Sequence, residues 1–134
     1  YHIDSKAEEF DKQCNLGVLS QITGITEWEN LVGVGESINC SRFHEIGATF
    51  LLEFEEGTDT EQLAEMIREQ MNPEEWDFAS EEYNEYYHQL EDENIAIEAK
   101  GKYVFIALVG DELLKLNRSS SPEALAGAFK RVIK

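Results

Sequence analysis

The sequence predicts a single α+β domain, residues 1–134, with a mainly antiparallel sheet of three or more strands and helices packed on one face. The length of 134 residues suits one hydrophobic core. Apolar residues make up 42 %, which is ordinary for a globular protein. Segments with the two-residue period of strands also alternate with segments of helical period, and the clearest pair of strands is joined by a short turn.

The first predicted helix runs from about residue 5 to residue 15 and ends near Gly17. Ser5 and Glu8 have the spacing of a capping box, in which each side chain accepts a hydrogen bond from the other residue's backbone. Apolar residues then follow at helical intervals: Ala7, Phe10 and Cys14.

The segment 16–47 has weaker patterning. It is interrupted by Gly24, Gly33, Gly35 and Gly47, so we expect loops with room for a short strand. Thr26 and Glu29 repeat the capping-box spacing, which predicts one turn of helix before Gly33. That turn would contain Trp28, Leu31 and Val32.

A strand and a helix follow Gly47. The stretch "ATFLLEFEE" places Phe50, Leu52 and Phe54 on one face at period two, which predicts a strand that ends at Gly57. Thr58 and Glu61 form a third capping box. The apolar residues of the helix after it are Leu63, Met66, Ile67 and Met71, and Asn72-Pro73 ends this helix.

The next predicted helix carries tyrosines and has Ser80 as its cap. Its apolar and aromatic residues recur at helical spacing: Ala79, Tyr83, Tyr86, Tyr87 and Leu90. The stretch "NIAIEAKGKYVFIALVG" then predicts two strands on either side of a turn at Lys100-Gly101-Lys102. The second of them, 103–109, is apolar on both faces, which predicts a central place in the sheet.

The chain closes with a helix that has clear start signals. Ser121 is the predicted cap and Pro122 occupies the first helical position. The apolar stripe of this helix consists of Leu125, Ala128, Phe129, Val132 and Ile133.

The net charge of −17 is concentrated in one region. Residues 53–98 contain 17 of the 28 acids and one base, Arg68. A surface this negative repels nucleic acid and attracts basic proteins, so we expect a basic protein partner and no nucleic acid. The longest apolar run, 103–109, is far shorter than the roughly 20 residues that span a bilayer, so we predict no transmembrane segment.

The sequence motifs do not point to a reaction. His44-Glu45 begins like the helix of a zinc protease, but Ala48 stands where the second histidine belongs. The acids at 91–93 lack the turn glycine of an EF-hand. Cys14 and Cys40 are consistent either with a disulfide or with two buried thiols. We therefore predict no enzyme, no cofactor and no metal.

The candidate partner-binding residues lie in and around the tyrosine-bearing helix. They are Trp76, Glu81, Glu82, Tyr83, Glu85, Tyr86, Tyr87, Glu91 and Asp92. Exposed aromatic side chains would supply apolar contact and the carboxylates would supply charge. The alternative is a core-facing tyrosine stripe on a helix whose acids are merely solvated.

Two stretches resemble a family of uncharacterised small bacterial envelope lipoproteins. They are "FHEIGATFLLEFEEGTDTEQLAEMIREQM" and "YNEYYHQLEDENIAIEAKGKYVFIALVGD", which begin and end the segment 43–111, about half of the chain. The shared pieces are the strand 50–55, the helix 61–71, Tyr86-Tyr87, and the Gly-x-Tyr-Val strand that starts at Gly101. The resemblance implies export to the cell envelope and a lipid anchor upstream of Tyr1. It implies no activity and no functional residues.

Two functions are consistent with these observations. The first is a non-enzymatic, extracytoplasmic binding module that uses its acidic surface. The alternative is a cytoplasmic immunity protein or inhibitor that neutralises a basic toxin or nuclease, because carboxylates can occupy the place of a substrate's phosphates.

Overall fold

The structure, a computed structural model, describes residues 16–25, 27–39, 47–76, 87–110 and 121–133. These residues contain four strands: β1 (Leu31–Asn39), β2 (Gly47–Phe54), β3 (Ile95–Lys100) and β4 (Tyr103–Val109). They also contain helices α1 (Leu16–Thr23), α2 (Thr60–Gln70) and α3 (Pro122–Val132). Two short 3-10 helices, Pro73–Glu75 and Asp92–Asn94, complete the described elements.

The four strands form one fully antiparallel sheet in the order β1-β2-β4-β3. The predicted α+β class with an antiparallel sheet is confirmed. The two predicted strands around Lys100-Gly101-Lys102 are confirmed as β3 and β4, joined by a two-residue turn in which Gly101 has a φ of 59°. The predicted central place of β4 is also confirmed, since it lies between β2 and β3.

Helices lie on both faces of this sheet. The first face carries the buried side chains of β2 and β4 that α1 and α2 cover, among them Phe50, Leu52 and Ile106. The second face is covered by α3, whose Phe129 ring stacks on Phe105 of β4 at 5.3 Å between ring centroids. Our expectation had all helices on one face. Because β4 is apolar on both faces, both faces need cover, and α3 supplies it on the second.

The segment after residue 16 differs from the prediction. We expected loops, but residues 16–23 form α1, which ends at Gly24 with a φ of 72°. The predicted helical turn around Trp28 is wrong as well. Asn30, with a φ of 64°, makes a turn, and the chain enters β1 at Leu31. The pairing of β1 with β2 outweighs the local capping-box signal, because the pairing buries Leu31 and joins eight residue pairs.

Helix α2 begins one residue later than the capping box predicts. The cap is Asp59, whose side chain accepts a hydrogen bond from the Gln62 N–H at 3.1 Å. The Thr58 hydroxyl instead donates to the Glu55 carbonyl at 2.7 Å. In α3 the predicted cap is confirmed, since Ser121 Oγ accepts from the Ala124 N–H.

Some predicted features lie outside the described residues. These are the helix 5–15, the first part of the tyrosine-bearing helix (79–86) with its Ser80 cap, and both cysteines, Cys14 and Cys40. Among the helices that the structure describes, none has the length and apolarity needed to cross a membrane.

Candidate binding groove beside helix α2

A groove of about 750 Å³ runs along the side of α2 that faces the segment between α1 and β1. We call it the α2 groove. One wall is formed by α2 and the turn before it, and the other wall by residues 25 and 27–30. Phe54, the last residue of β2, lies at its base. The groove therefore opens directly above one end of the sheet's first face.

Local backbone geometry fixes both walls to the end of β2. The Glu55 N–H donates to the Asn30 carbonyl at 2.8 Å, which holds the 27–30 turn beside the strand. On the other side the chain leaves β2 through Gly57, whose φ of 88° favours glycine, and enters the Asp59 cap. The two walls are thus anchored within a few residues of each other.

The floor of the groove is apolar. Trp28 and Phe54 are both buried, and their rings lie 6.3 Å apart in a tilted arrangement. Along α2, Leu63 is half-buried and Met66 is 37 % exposed, one helical turn further on. Met66 is one of few large apolar side chains that remain exposed among the described residues, so its apolar surface is available to a partner.

The rim of the groove is acidic. Its five acids are all exposed: Glu27, Glu29, Asp59, Glu65 and Glu69. No Lys or Arg occurs among the described residues that line the groove. Glu65 pairs with Arg68, which lies outside the groove, at 2.9 Å. The arrangement combines an apolar strip with a negative border, which attracts cationic groups and disfavours acidic ones.

The residues that the sequence predicts as partner-binding occupy different environments. Trp76 is 5 % exposed and Tyr87 is 1 % exposed, and their rings meet edge to face at 6.0 Å. His88 is half-buried, with Nε2 at 2.6 Å from the Trp76 carbonyl oxygen. Trp76 and Tyr87 therefore belong to the core, as the alternative interpretation of the tyrosine stripe has it.

Glu91 and Asp92 are exposed, but they lie just before β3 and do not line the α2 groove. Glu91 is the N-cap of the 3-10 helix Asp92–Asn94 and Asp92 is its first residue, whereas its last residue, Asn94, is buried. Asn94 donates to the Val109 carbonyl and accepts from the Glu91 N–H, both at 2.9 Å. The other predicted residues, Glu81, Glu82, Tyr83, Glu85 and Tyr86, lie outside the described residues.

Sequence reasoning missed the α2 groove. Trp28 was assigned to a helical turn and Met66 to the core stripe of α2. The available signal was a second stripe on α2, in which Leu63, Met66 and Glu69 recur every three residues and Gln62 lies four residues before Met66, beside the buried Ala64 and Ile67. The other wall, residues 27–30, has no comparable sequence signal, because the pairing of β1 with β2 brings it to the groove.

Metal ligation has no support among the residues that the structure describes, where no three His, Cys, Asp or Glu side chains come close enough to hold an ion. Comparisons of the chain with protein-family models, with curated proteins and with solved structures find no match.

Proposed function

We propose that this protein is a non-enzymatic binding module that takes a basic, partly apolar segment of another protein into the α2 groove. The observation that carries the proposal is the combination, in one groove, of an apolar floor with five exposed acids and no base among the described lining residues. An acidic helix surface alone would be a solvated face. The apolar strip beside it is what a binding site needs in addition.

The chemistry of Lys and Arg fits this arrangement. Their aliphatic stems can lie along Leu63 and Met66 while their charged ends reach the carboxylates at the rim. Such contacts steer the partner toward the groove and make association fast and sensitive to salt. A second copy of this chain is a poor occupant, because each copy carries a net charge of −17.

A defined peptide tests the groove directly. The probe is a fluorescent amphipathic peptide of leucine and lysine, about four helical turns long, and the matched probe has glutamate in place of lysine. We expect the lysine peptide to bind with an affinity that falls as salt rises, and the glutamate peptide not to bind. Absence of binding by the lysine peptide at low salt would contradict the proposal.

Paired charge reversals separate the groove from the general negative field. Glu29→Lys with Glu69→Lys changes both walls, whereas Glu61→Lys with Glu74→Lys makes the same charge change at exposed positions outside the groove. We expect about a tenfold loss of affinity in the groove variant, from two exposed charge contacts. The control should lose about twofold or less. Equal losses would assign binding to net charge alone.

The alternative function, an inhibitor of a basic toxin or nuclease, uses the same groove. It differs in that binding would abolish the partner's activity. It is favoured by the lack of any base in the described groove lining, since a nuclease site that binds phosphates is itself basic. The wild type, the Glu61/Glu74 control and the groove variant would each be used to capture proteins from the source cells. A protein that binds the first two but not the groove variant would then be assayed for activity with and without the module. Loss of its activity would favour inhibition, and unchanged activity would favour a binding module.

Location outside the cytoplasm is part of the leading proposal and is supported by the sequence resemblance alone. Fractionation of the source cells, with an antibody against this protein, tests it.

A further inference from the structure

A second surface, independent of the α2 groove, lies along the outer edge of β3. In the described part of the chain, β3 pairs with β4 on one side and with no strand on the other. We infer that this edge binds an extended segment of a partner protein as an additional strand, and that Arg68 guards it.

The hairpin turn determines which backbone groups of β3 point outward. Lys100 and Tyr103 flank a two-residue turn, so they form a hydrogen-bonded pair, and the pairs at Glu98 and Ala96 follow the same pattern. The groups of Ile97 and Ala99 therefore point away from β4. The contact at Ile97 agrees with this assignment, because its carbonyl accepts from Arg68 Nε at 3.1 Å and also from Arg68 Nη2.

The edge lies at the bottom of an open groove of about 1360 Å³, which we call the β3 groove. Its first wall includes Arg68, Met71 and Pro73, and its second wall includes Pro122 and other residues of α3. A groove with helices on both sides admits a bare extended segment. It does not admit a second sheet that carries its own helices, which argues against a second copy of this chain as the occupant.

Charge indicates the chemistry of the occupant. Glu91, Asp92 and Glu93 are exposed just before β3, and Glu123 is exposed on the wall formed by α3. The bases of the groove are already engaged: Lys130 Nζ lies 3.1 Å from Glu98, and Arg68 is held by Ile97 and Glu65. The uncompensated charge is negative, so the segment that fits carries Lys or Arg where it passes residues 91–93.

Arg68 occupies the carbonyl that an incoming strand needs at the centre of β3. Such a charged side chain on an edge is a known protection against unwanted strand pairing. Its side chain is 40 % exposed, so it can swing into solvent without disturbing the core. Binding then replaces the two hydrogen bonds that Arg68 donates to the Ile97 carbonyl with one from the ligand, and the outward groups of Ala99 gain partners in the ligand strand.

Amide hydrogen exchange on the isotope-labelled wild-type protein tests the inference. The probe is a seven-residue peptide of alternating threonine and valine with lysine at both ends. We expect saturating peptide to slow exchange at Ile97 and Ala99 at least about tenfold, because both N–H groups then lie in a ladder. Exchange at Ala96 and Glu98, already paired with β4, should change much less.

Two N-methylated forms of the peptide provide the matched control. Methyl groups on the alternate amides that face β3 should abolish the protection, and methyl groups on the other amides should leave it intact. The inference is overturned if the peptide slows no exchange, or if both methylated forms act alike. It is also overturned if Ile97 and Ala99 are protected without peptide in a concentration-dependent dimer.

A pair of substitutions tests the role of Arg68. Arg68→Ala should tighten peptide binding about fivefold, because the Ile97 carbonyl no longer has to be released. Arg131→Ala makes the same charge change on α3 outside the groove and should leave affinity unchanged. Equal effects would remove Arg68 from the mechanism. The variant with Glu29→Lys and Glu69→Lys should still bind this peptide, so failure of the α2 groove and failure of the β3 edge are distinguishable.

Discussion

The two faces of the sheet are covered to different depths. On the first face, the inward side chains of β2 and of the central part of β4 are inaccessible beneath α1, α2, Trp76 and Tyr87. On the second face, α3 covers β3 and β4, and Leu51 and Phe105 remain half-buried. The first face is a closed core, whereas the second is a thinner layer.

This difference determines what each face can support. The α2 groove rests on Phe54 and Trp28, which belong to the closed core, so a ligand there would meet a floor that packing holds in place. The second face instead presents a polar cluster at the end of β4 next to the β3–β4 turn, in which Glu53, Lys102 and Tyr103 meet. A ligand in the α2 groove thus rests on the closed core, whereas the second face carries partly exposed charge pairs.

The largest expected effect comes from two neighbouring leucines of β2 that point to opposite faces. Leu52 is fully buried in the core, whereas Leu51 is half-buried on the second face. We expect Leu52→Ala to lower the free energy of unfolding by about 4 kcal/mol, from lost burial and a residual cavity. Leu51→Ala should lower it by about 1 kcal/mol.

Urea denaturation of both variants measures this difference in unfolding free energy, and the substitution, leucine to alanine, is the same at both positions. Equal losses would mean that the two faces contribute equally and that the closed core is no more important than the α3 layer.

An intermediate effect is expected at the stacked pair on the second face. Phe129→Ala removes a buried ring from α3, but its partner Phe105 is only half-buried, so part of the lost contact is replaced by water. We expect a loss of about 2–3 kcal/mol, below that of a fully enclosed phenylalanine. Val132→Ala is the control, because Val132 on the same helix is 74 % exposed and should change stability by less than about 0.5 kcal/mol. A larger loss at Phe129 than at Leu52 would reverse the ranking of the faces.

The sequence predicts the second half of the fold better than the first for a physical reason. The β3–β4 hairpin, its turn and the cap of α3 depend on residues within a few positions of each other, and all three are confirmed. The apolar pattern of β4 also indicated that both faces of the sheet must be covered, although we predicted helices on only one face. By contrast, β1 depends on pairing with β2 across the segment 40–46, and its capping-box signal favoured helix.

The candidate site was less accessible to prediction than the fold. Composition located the acidic region, but it could not distinguish a buried aromatic from an exposed one, so Trp76 and Tyr87 stood among the candidate partner-binding residues beside the alternative of a core-facing tyrosine stripe. The walls of the α2 groove come from residues about 35 positions apart that are brought together through the end of β2. The place of β3 at the edge of the sheet likewise follows from strand order, which no side-chain pattern encodes.

The smallest expected effect is the pH dependence of the polar cluster on the second face. Lys102 Nζ lies 2.9 Å from Glu53 and donates a hydrogen bond to it, which lowers the pKa of Glu53 and raises the pKa of Lys102. Both side chains are about one-third exposed, so water and salt screen the pair and its contribution to stability is small. Because the pKa of Glu53 is lowered on folding, its contribution is present above the pKa of an unfolded glutamate and is lost as pH falls through the lowered value. Because the pKa of Lys102 is raised, its contribution is present below the pKa of an unfolded lysine and is lost as pH rises through the raised value.

The pair should therefore contribute a constant amount between about pH 5 and pH 10 and less on either side. The measurement is the difference in unfolding free energy between the wild type and Glu53→Gln as a function of pH, since a difference cancels the titration of the other acids. We expect this difference to favour the wild type at pH 7, to shrink toward pH 3.5, and to shrink at pH 7 when salt is raised to about 1 M. A difference that is independent of both pH and salt would show that Glu53 contributes through packing and not through its charge. The second face would then be stabilised by packing, as the first face is.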